Sequence, residues 1–477
     1  MFNNFINYLR VRVREHGFNE FLLESINETE RNIFEVETYK DLSHNLIDDD
    51  SNAFIYRIFQ STVDRKILRK LKSKKLIKKT DFYLILILRK LYYFIDSLKL
   101  LFFYHNSFYL LESISGNIHS PKLVITMTKN KAREKNLENS KDFKIIDLLV
   151  RTNANTVSNY NEIDSIRIGL KTRLKCFFFK IKHPYIESSL IIEFYASKII
   201  FTKKLKLLKI EPKNSQVFIR EGIAQVTRSL MQCARELAIP TVTYYQRIIL
   251  GNITFVPRET SKVIVITKKG LPDNFITYDA EIISLNDNPY ISWRHLSAER
   301  PNQNIYGLLV GDENSRYLQQ KKIDQKILER ISKQHKPKCI IRPHPQEMSK
   351  PHRVEYYESL ARIYNFVEID TSSSAEDFIE NVDIVITYVN STLVDEALLC
   401  KRPVIVVKKE SETVNQKTID IASDFCCVVD SEDSFRLALN LFSSMSISQL
   451  DSIWNKVLDS LDFKENSIVD IDNLLMA

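Results

Sequence analysis

The order of apolar and polar positions divides the chain into three parts. Residues 1–115 read mostly as helix. From Pro121 onward, "PKLVITMT", "KIIDLLVRTN" and "SQVFIREG" are short β-rich runs that end in polar residues. In "GIAQVTRSLMQCARELAIP", Ile223, Val226, Leu230, Cys233, Ala234 and Leu237 fall near i, i+3, i+4 spacing. That spacing predicts a helix, which Pro240 stops. "TVTYYQ", "SKVIVITKKG" and "AEIISLNDNP" are the next strands. Continuous apolar strands alternating with helices predict a parallel α/β sheet.

The segment "NDNPYISWRHLSAERPNQN", Asn286 to Asn304, breaks this rhythm and reads as an interdomain linker. A second α/β set follows. "IYGLLVGDE", "KCIIRPHP", "FVEID", "DIVITYVN", "RPVIVV" and "DFCCVVD" are its strands. Helices are expected over "YLQQKKIDQKILERISKQ", "VEYYESLARIY", "SAEDFIENV" (with Ser374 as N-cap) and "STLVDEALLC", and from Ser431 to the end. The expected architecture is a helical basic segment over 1–115 and two Rossmann-like domains, 116–290 and 304–477. Ligands then bind in the cleft between them, at the strand carboxyl ends.

Composition narrows this picture. At 477 residues, 44% hydrophobic and 27% charged, the chain has the size and balance of a two-domain globular protein. Its eight glycines form neither a GxGxxG nor a Walker loop, and none follows Gly311. Dinucleotide-binding and P-loop readings lose their main support. Six cysteines with no CxxC read as free thiols of a reducing compartment. The N-terminus lacks the apolar core and cleavage site of a signal peptide, and no stretch offers about 20 uninterrupted apolar residues.

Net charge is +8, with a pI near 8.9. Much of it sits in Arg65 to Lys79, which holds nine Lys/Arg and no acid. The aromatic and apolar run from Asp81 to Leu111 follows, interrupted by Arg89, Lys90, Asp96 and Lys99. It reads either as a core helix pair with a solvated basic flank or as an interfacial helix on an anionic membrane.

Candidate chemistry gathers at strand ends of the second domain. "CIIRPHPQE" runs a strand into Arg342, with prolines Pro343 and Pro345 fixing the backbone around His344. "DIVITYVN" ends at Asn390, next to Ser391 and Thr392, and "IYGLLVGDE" ends at Gly311. In parallel strands these endings share one edge. Ser391 and Thr392 open a helix whose free N–H groups favour an anion, although both are also ordinary N-caps. Glu396, a turn later, is either a solvent-facing carboxylate or a hydrogen-bond acceptor for a ribose or sugar hydroxyl. His344 is either a turn histidine or a phosphate ligand. No His/Cys pair has a metal-ligand spacing, and no GxSxG elbow is present.

"IIRPHPQE" followed by "ENVDIVITYVNSTLVDEALLCKRPVIVV" resembles the donor half of bacterial GT-B glycosyltransferases that build capsule and lipooligosaccharide, the CMP-sialic acid and Kdo transferases among them. Teichoic-acid glycerophosphotransferases share a similar pattern. The resemblance covers roughly Ile305 to Val429. It implies a GT-B fold with His344, Ser391 and Thr392 on the nucleotide phosphate. In the first domain, "VFIREG" resembles an acidic-acidic-glycine motif whose first acidic position is credited as the base. Here Arg220 occupies that position, and only Glu221 and Gly222 match. "ELAIPTVTYYQRI" resembles a "GIPT…QHG" strand, with Gln246 matching and Arg247 in place of the histidine.

The chemistry also stands on the residues. Inverting transfer needs a base for the acceptor hydroxyl, here Glu221 or His344, and cationic or N–H groups for the departing phosphate. The expectation is a cytoplasmic glycosyltransferase, peripheral at the inner face of a bacterial membrane. Its co-substrate is a nucleotide sugar, a CMP-linked acidic sugar favoured, with no cofactor, no metal and no nucleic acid. The acceptor is an acidic or lipid-linked glycan. A CDP-polyol phosphotransferase, a non-catalytic member of a transferase complex and a nucleotide-sugar epimerase are the alternatives.

Overall fold

The computed structural model describes residues 28–44, 49–73 and 79–102 and five short strands between 109 and 165. It also describes, apart from short gaps, residues 169–286, 305–407 and 424–463. The chain opens with helices α1 (Glu28–His44), α2 (Asp49–Asn52), α3 (Ile55–Ser73) and α4 (Lys79–Phe102). Strands β1 (Tyr109–Leu111), β4 (Leu149–Arg151) and β5 (Asp164–Ser165) form a small antiparallel sheet in the order β4-β1-β5.

The first large sheet is fully parallel, in the order β3-β2-β6-β7-β8-β9. Its strands are β2 (Leu123–Thr126), β3 (Lys144–Asp147), β6 (Ser215–Arg220), β7 (Thr241–Tyr245), β8 (Lys262–Val265) and β9 (Glu281–Ser284). Helices α5 (Leu170–Lys182), α6 (Ser188–Leu207) and α7 (Gln225–Glu236) accompany it. All of β7 is buried, as a strand covered on both faces requires. Helix α7 ends before Pro240. Ala238 takes a left-handed φ of 56°, and Ile239 N donates back to Ala234 O at 2.8 Å. The stop is therefore a left-handed turn at an alanine, with the proline behind it.

The second sheet has the order β12-β11-β10-β13-β14-β15, again all parallel. Its strands are β10 (Ile305–Val310), β11 (Lys338–Pro343), β12 (Val367–Ile369), β13 (Ile384–Thr387), β14 (Val404–Val407) and β15 (Cys426–Val429). Renumbered within the domain this is 3-2-1-4-5-6, the doubly wound Rossmann order, with its switch point between β10 and β13. Its helices are α8 (Tyr317–Ile331), α9 (Pro351–Ile363), α10 (Ala375–Glu380), α11 (Thr392–Leu399), α12 (Glu432–Ser444) and α13 (Ile447–Ser460).

Several local choices follow from the sequence. Ser374 caps α10 through Glu376 N and Asp377 N. Gly307 in β10 lets α10 approach, since a Cβ there would meet Phe378 Cζ at 2.7 Å and Val382 Cγ1 at 2.9 Å. Asp383 accepts from Ile305 N at 2.9 Å and so fixes where β10 begins. Lys401 takes a left-handed φ of 58°, and Arg402 is buried with Nε donating to Ile379 O at 3.1 Å. The "KRP" sequence is thus packing chemistry beneath α10.

One apolar core joins both large sheets, from Phe218, Val242, Tyr244 and Ile264 to Leu308, Ile341 and Ile386. Beyond α13, Leu461 O accepts from Thr267 Oγ1 at 2.8 Å, so the last described helix ends against the first domain. All six cysteines are free, and only Cys427 is not fully buried. Of the expected linker, only Asn286 is among the described residues.

The N-terminal helices form a layer on the first domain. Within the basic run, Arg65 stacks over Tyr185 at 5.2 Å, and Lys66 pairs with Glu37 and Asp41 of α1 at 3.5 Å each. Residues 74–78 lie outside the described residues. Asp96, expected to break an apolar face, is buried in an ion pair with Lys180 of α5, Oδ2 to Nζ 2.9 Å. Helix α7 is tied to the layer as well. Arg228, buried, pairs with Glu259 at 3.1 Å and donates to Asn52 O at 3.3 Å.

Candidate functional site

The switch point of the second sheet brings the ends of β10, β11 and β13 to one edge. Strand β11 pairs with β10 in the register Leu309↔Arg342 and Val310↔Pro343, and Leu309 also pairs with Thr387 of β13. Pairing continues one residue past Pro343, because His344 N donates to Val310 O at 3.0 Å. The His344 carbonyl then accepts from Glu347 N at 2.8 Å, closing a tight turn. His344 is half-buried, with its backbone held on both sides.

Glu347 was not singled out from the sequence, yet it anchors this turn. Its fully buried carboxylate accepts from Tyr357 Oη at 2.5 Å and lies 3.6 Å from Arg353 Nη2. Both partners sit on α9. The available signal was an acidic residue three positions after a proline-flanked histidine, with "RVEYY" a few residues on.

A second anchor holds the end of β13. Tyr388 Oη donates to Asp324 Oδ1 at 2.6 Å, and Tyr356 Oη donates to Asp324 Oδ2 at 2.9 Å. Asp324 is fully buried on α8. Burial, reinforced by the neighbouring Asp324 carboxyl, pushes the Tyr388 phenol well above its ordinary range. Tyr356 and Tyr357 adjoin with ring centroids 5.2 Å apart. Two polar anchors, Tyr388–Asp324–Tyr356 at the β13 exit and Tyr357–Glu347–Arg353 at the His344 turn, therefore meet through neighbouring residues of α9. Buried networks of this kind rigidify what they hold.

Arg342 was expected beside the phosphate. Its guanidinium instead forms an ion pair with Asp370, just past β12, and lies over the Phe378 ring at 5.6 Å. Alternation along β11 accounts for this. Cys339, Ile341 and Pro343 are buried on one face, which sends Arg342 to the other, where α10 packs.

Helix α11 begins at Thr392, immediately beyond the β13 exit. The first turn of a helix has no intrahelical acceptors for its N–H groups, and this one starts at the same edge. Glu396 is half-buried on the same helix. Gly311, Pro345, Asn390 and Ser391, and the side chain of Thr392, lie outside the described residues. In the first domain β6 ends at Arg220, and Arg247 is half-buried past the end of β7. Glu221, Gly222, Gln246 and the Arg220 side chain also lie outside the described residues. Among the described residues no group of three His, Cys, Asp or Glu is placed to hold a metal ion. What the edge offers chemically is a histidine on a backbone-held turn after β11 and, with β10 between them, a helix N-terminus after β13, a combination suited to an anionic group.

Two parallel doubly wound sheets, joined by a shared core and a helix returning to the first domain, define a GT-B-type architecture of two Rossmann-like domains. The chain is similar in fold to S. aureus MnaA in a co-structure with UDP, at 11% identity and a TM-score of 0.45, covering 72% of this chain and 93% of that one. The UDP-GlcNAc 2-epimerase from Neisseria meningitidis bound to UDP-GlcNAc gives 12% identity and a TM-score of 0.44, covering 74% and 99%. MurG from Acinetobacter baumannii gives 15% and 0.43, covering 75% and 99%. These are distant likenesses of fold. No protein-family model matches the sequence, and no curated protein does.

Proposed function

We propose that the chain is a nucleotide-sugar glycosyltransferase that acts on a surface glycan of a bacterium. The observation that carries this reading is the convergence at the β10/β13 switch point. There the His344 turn is hydrogen-bonded to the end of β10, and α11 starts directly past β13. Anionic ligands of doubly wound sheets bind at such points, with phosphate at a helix N-terminus.

In the proposed reaction the nucleotide phosphates lie against His344 and the first turn of α11, with Ser391 and Thr392 hydroxyls as further donors. Glu396 accepts from a ribose or sugar hydroxyl. A base from the first domain, Glu221, takes the acceptor proton, and the hydroxyl attacks the anomeric carbon with inversion. Charge builds on the departing phosphate as that bond breaks, and fixed donors stabilise it most at that moment. Arg220, Gln246 and Arg247 fall on the acceptor side. A CMP-linked acidic sugar, and a capsule or lipooligosaccharide product made at the membrane surface, are the finer terms of the proposal. Support for them comes from the His-Pro and Ser-Thr motifs.

A donor panel of CMP-, UDP-, GDP- and CDP-linked compounds, read by release of free nucleotide, tests the reading. Release from a CMP-sugar with a new glycosidic bond is expected. Release from a CDP-polyol with a new phosphodiester would replace it by the phosphotransferase reading. Absence of binding to every nucleotide would leave a non-catalytic role.

A further inference from the structure

Helices α4 and α5 each turn an apolar stripe outward. On α4 the exposed residues include Ile87, Leu91 and Phe94, with exposures of 62%, 42% and 60%. They stand at i, i+4, i+7 and therefore share one face. On α5 they are Leu170, Leu174, Phe178 and Ile181, at 68%, 40%, 64% and 57%. This i, i+4, i+8, i+11 series runs about 16 Å along the helix at 1.5 Å per residue. The opposite faces are buried. Cys176, Phe179 and Lys180 of α5 and Asp96 and Leu100 of α4 point inward, locked by the Asp96–Lys180 pair.

The exposed charge on α5 itself is basic, and the acid beside it is Asp50 of α2. Helix α5 carries Lys171, Arg173, Lys175, Lys180 and Lys182 and no acid. At roughly 100° per residue, Lys171, Lys175 and Lys182 line up along one border of its apolar stripe. All three are exposed, as is Lys90 on α4. Lys175 is also paired with Asp50 at 2.9 Å. In a symmetric dimer the same surface meets itself, which would set these lysines against their own copies. An apolar face bordered by lysines instead matches an anionic bilayer, where the side chains enter the headgroup boundary and the ammonium groups stay at the phosphates.

We propose that the α4–α5 face docks the protein on an anionic lipid bilayer. The surface differs in place from the Arg65–Lys79 run, which begins on α3 and ends where α4 starts. It deepens the membrane-surface part of the proposed function, but its test needs no donor and no acceptor. Among the described residues no helix is long and apolar enough to cross a membrane, so docking here is interfacial.

The full chain is sedimented with vesicles of phosphatidylglycerol mixed with phosphatidylcholine, and with phosphatidylcholine alone, at low and high salt. Binding to the anionic vesicles at low salt, weakened about tenfold or more by salt or by removal of the anionic lipid, is expected. Phe178→Glu with Ile181→Glu should lower it at least tenfold while leaving Tm and nucleotide binding unchanged, since both side chains are exposed. Lys90→Glu with Lys171→Glu should weaken binding and flatten its salt dependence. Phe178→Trp should show a blue shift of its added emission on vesicles. No binding at low salt, wild-type binding by the Phe178/Ile181 variant, or a dimer that this variant dissociates would each overturn the proposal. A protein that binds vesicles but turns over no nucleotide sugar leaves the docking face standing and removes the glycosyltransferase reading.

Discussion

Replacing Asp96 by asparagine removes one negative charge from inside the α4–α5–α6 layer while keeping the side chain's size. Lys180 Nζ lies 2.9 Å from Asp96 Oδ2, with the two side chains 1% and 7% exposed. Ser188 of α6 adds its N–H at 3.0 Å and its hydroxyl at 2.9 Å. In the variant the Lys180 ammonium keeps the Ile186 carbonyl but loses its counter-charge. Breaking one partner out of a buried pair costs about 3–5 kcal/mol. For a domain of 150–250 residues, each kcal/mol moves Tm by about 2–4 °C, so a fall of roughly 6–20 °C is expected. The acid side gives a sharper signature. Burial alone would push the Asp96 carboxyl up, but Lys180 and Ser188 outweigh it and hold the group below its ordinary 3.8. A depressed folded value contributes stability that is fully present above the unfolded pKa and is lost as pH falls through the folded one. The Tm gap between wild type and Asp96→Asn should therefore be constant from about pH 7 to 5 and narrow below about pH 4. Calorimetry over that range, with Lys180→Met completing a double-mutant cycle, reads both effects. A Tm change under about 2 °C at neutral pH, or a gap that widens in acid, would refute the argument.

Three further outcomes concern the candidate site. His344→Ala should lower turnover by about a hundredfold or more with Tm preserved, and wild-type turnover in that variant would remove His344 from the mechanism. Ser391→Ala combined with Thr392→Ala should weaken nucleotide binding by about 1–3 kcal/mol in calorimetric titration; a lower Tm with unchanged affinity would make the pair only a cap. Tyr388→Phe removes the hydroxyl held 2.6 Å from Asp324. It should cost about 1–3 kcal/mol of stability, and KM for the donor should rise more than kcat falls, because the β13 exit loses its anchor while the reacting groups stay in place.

The parallel sheets were legible because their strands are continuous apolar runs, and burial on both faces demands that composition. Strand order was not legible, since apolar runs do not say which neighbour they choose. The His344 turn was visible through its flanking prolines, which restrict the backbone by themselves. The fate of Arg342 was not, because Asp370 reaches it only once β12 lies beside β11. The anchor at Asp324 shows the same limit. Its partners Tyr356 and Tyr388 lie 32 and 64 residues away and meet it through helix packing alone. Glu347 differs in kind. Its partner Tyr357 is ten residues on, so a turn followed by one helix was enough to bring them together.

The N-terminal segment was legible as helical, with a core and an interfacial reading both open, but which side chains turn inward was not, for a physical reason that bears on function. An amphipathic helix of a water-soluble domain is expected to bury its apolar stripe and expose its charges. Helices α4 and α5 partly reverse this, placing Asp96 and Lys180 inside and Ile87, Phe94, Leu170 and Phe178 outside. In water the reversal stabilises little. A buried ion pair roughly offsets its own desolvation, and each apolar side chain, 40–68% exposed, forgoes roughly half of the ~1.5–3 kcal/mol that full burial supplies. Rotating either helix to bury its stripe would bring its half of the pair toward solvent and leave the other half buried without its partner. The pair therefore acts as a lock on the outward orientation of both stripes. An arrangement that forgoes burial at seven side chains, and fixes that choice with a buried salt bridge, gains further stability where something other than water covers the face. With lysines along its border, the covering we propose is an anionic lipid surface.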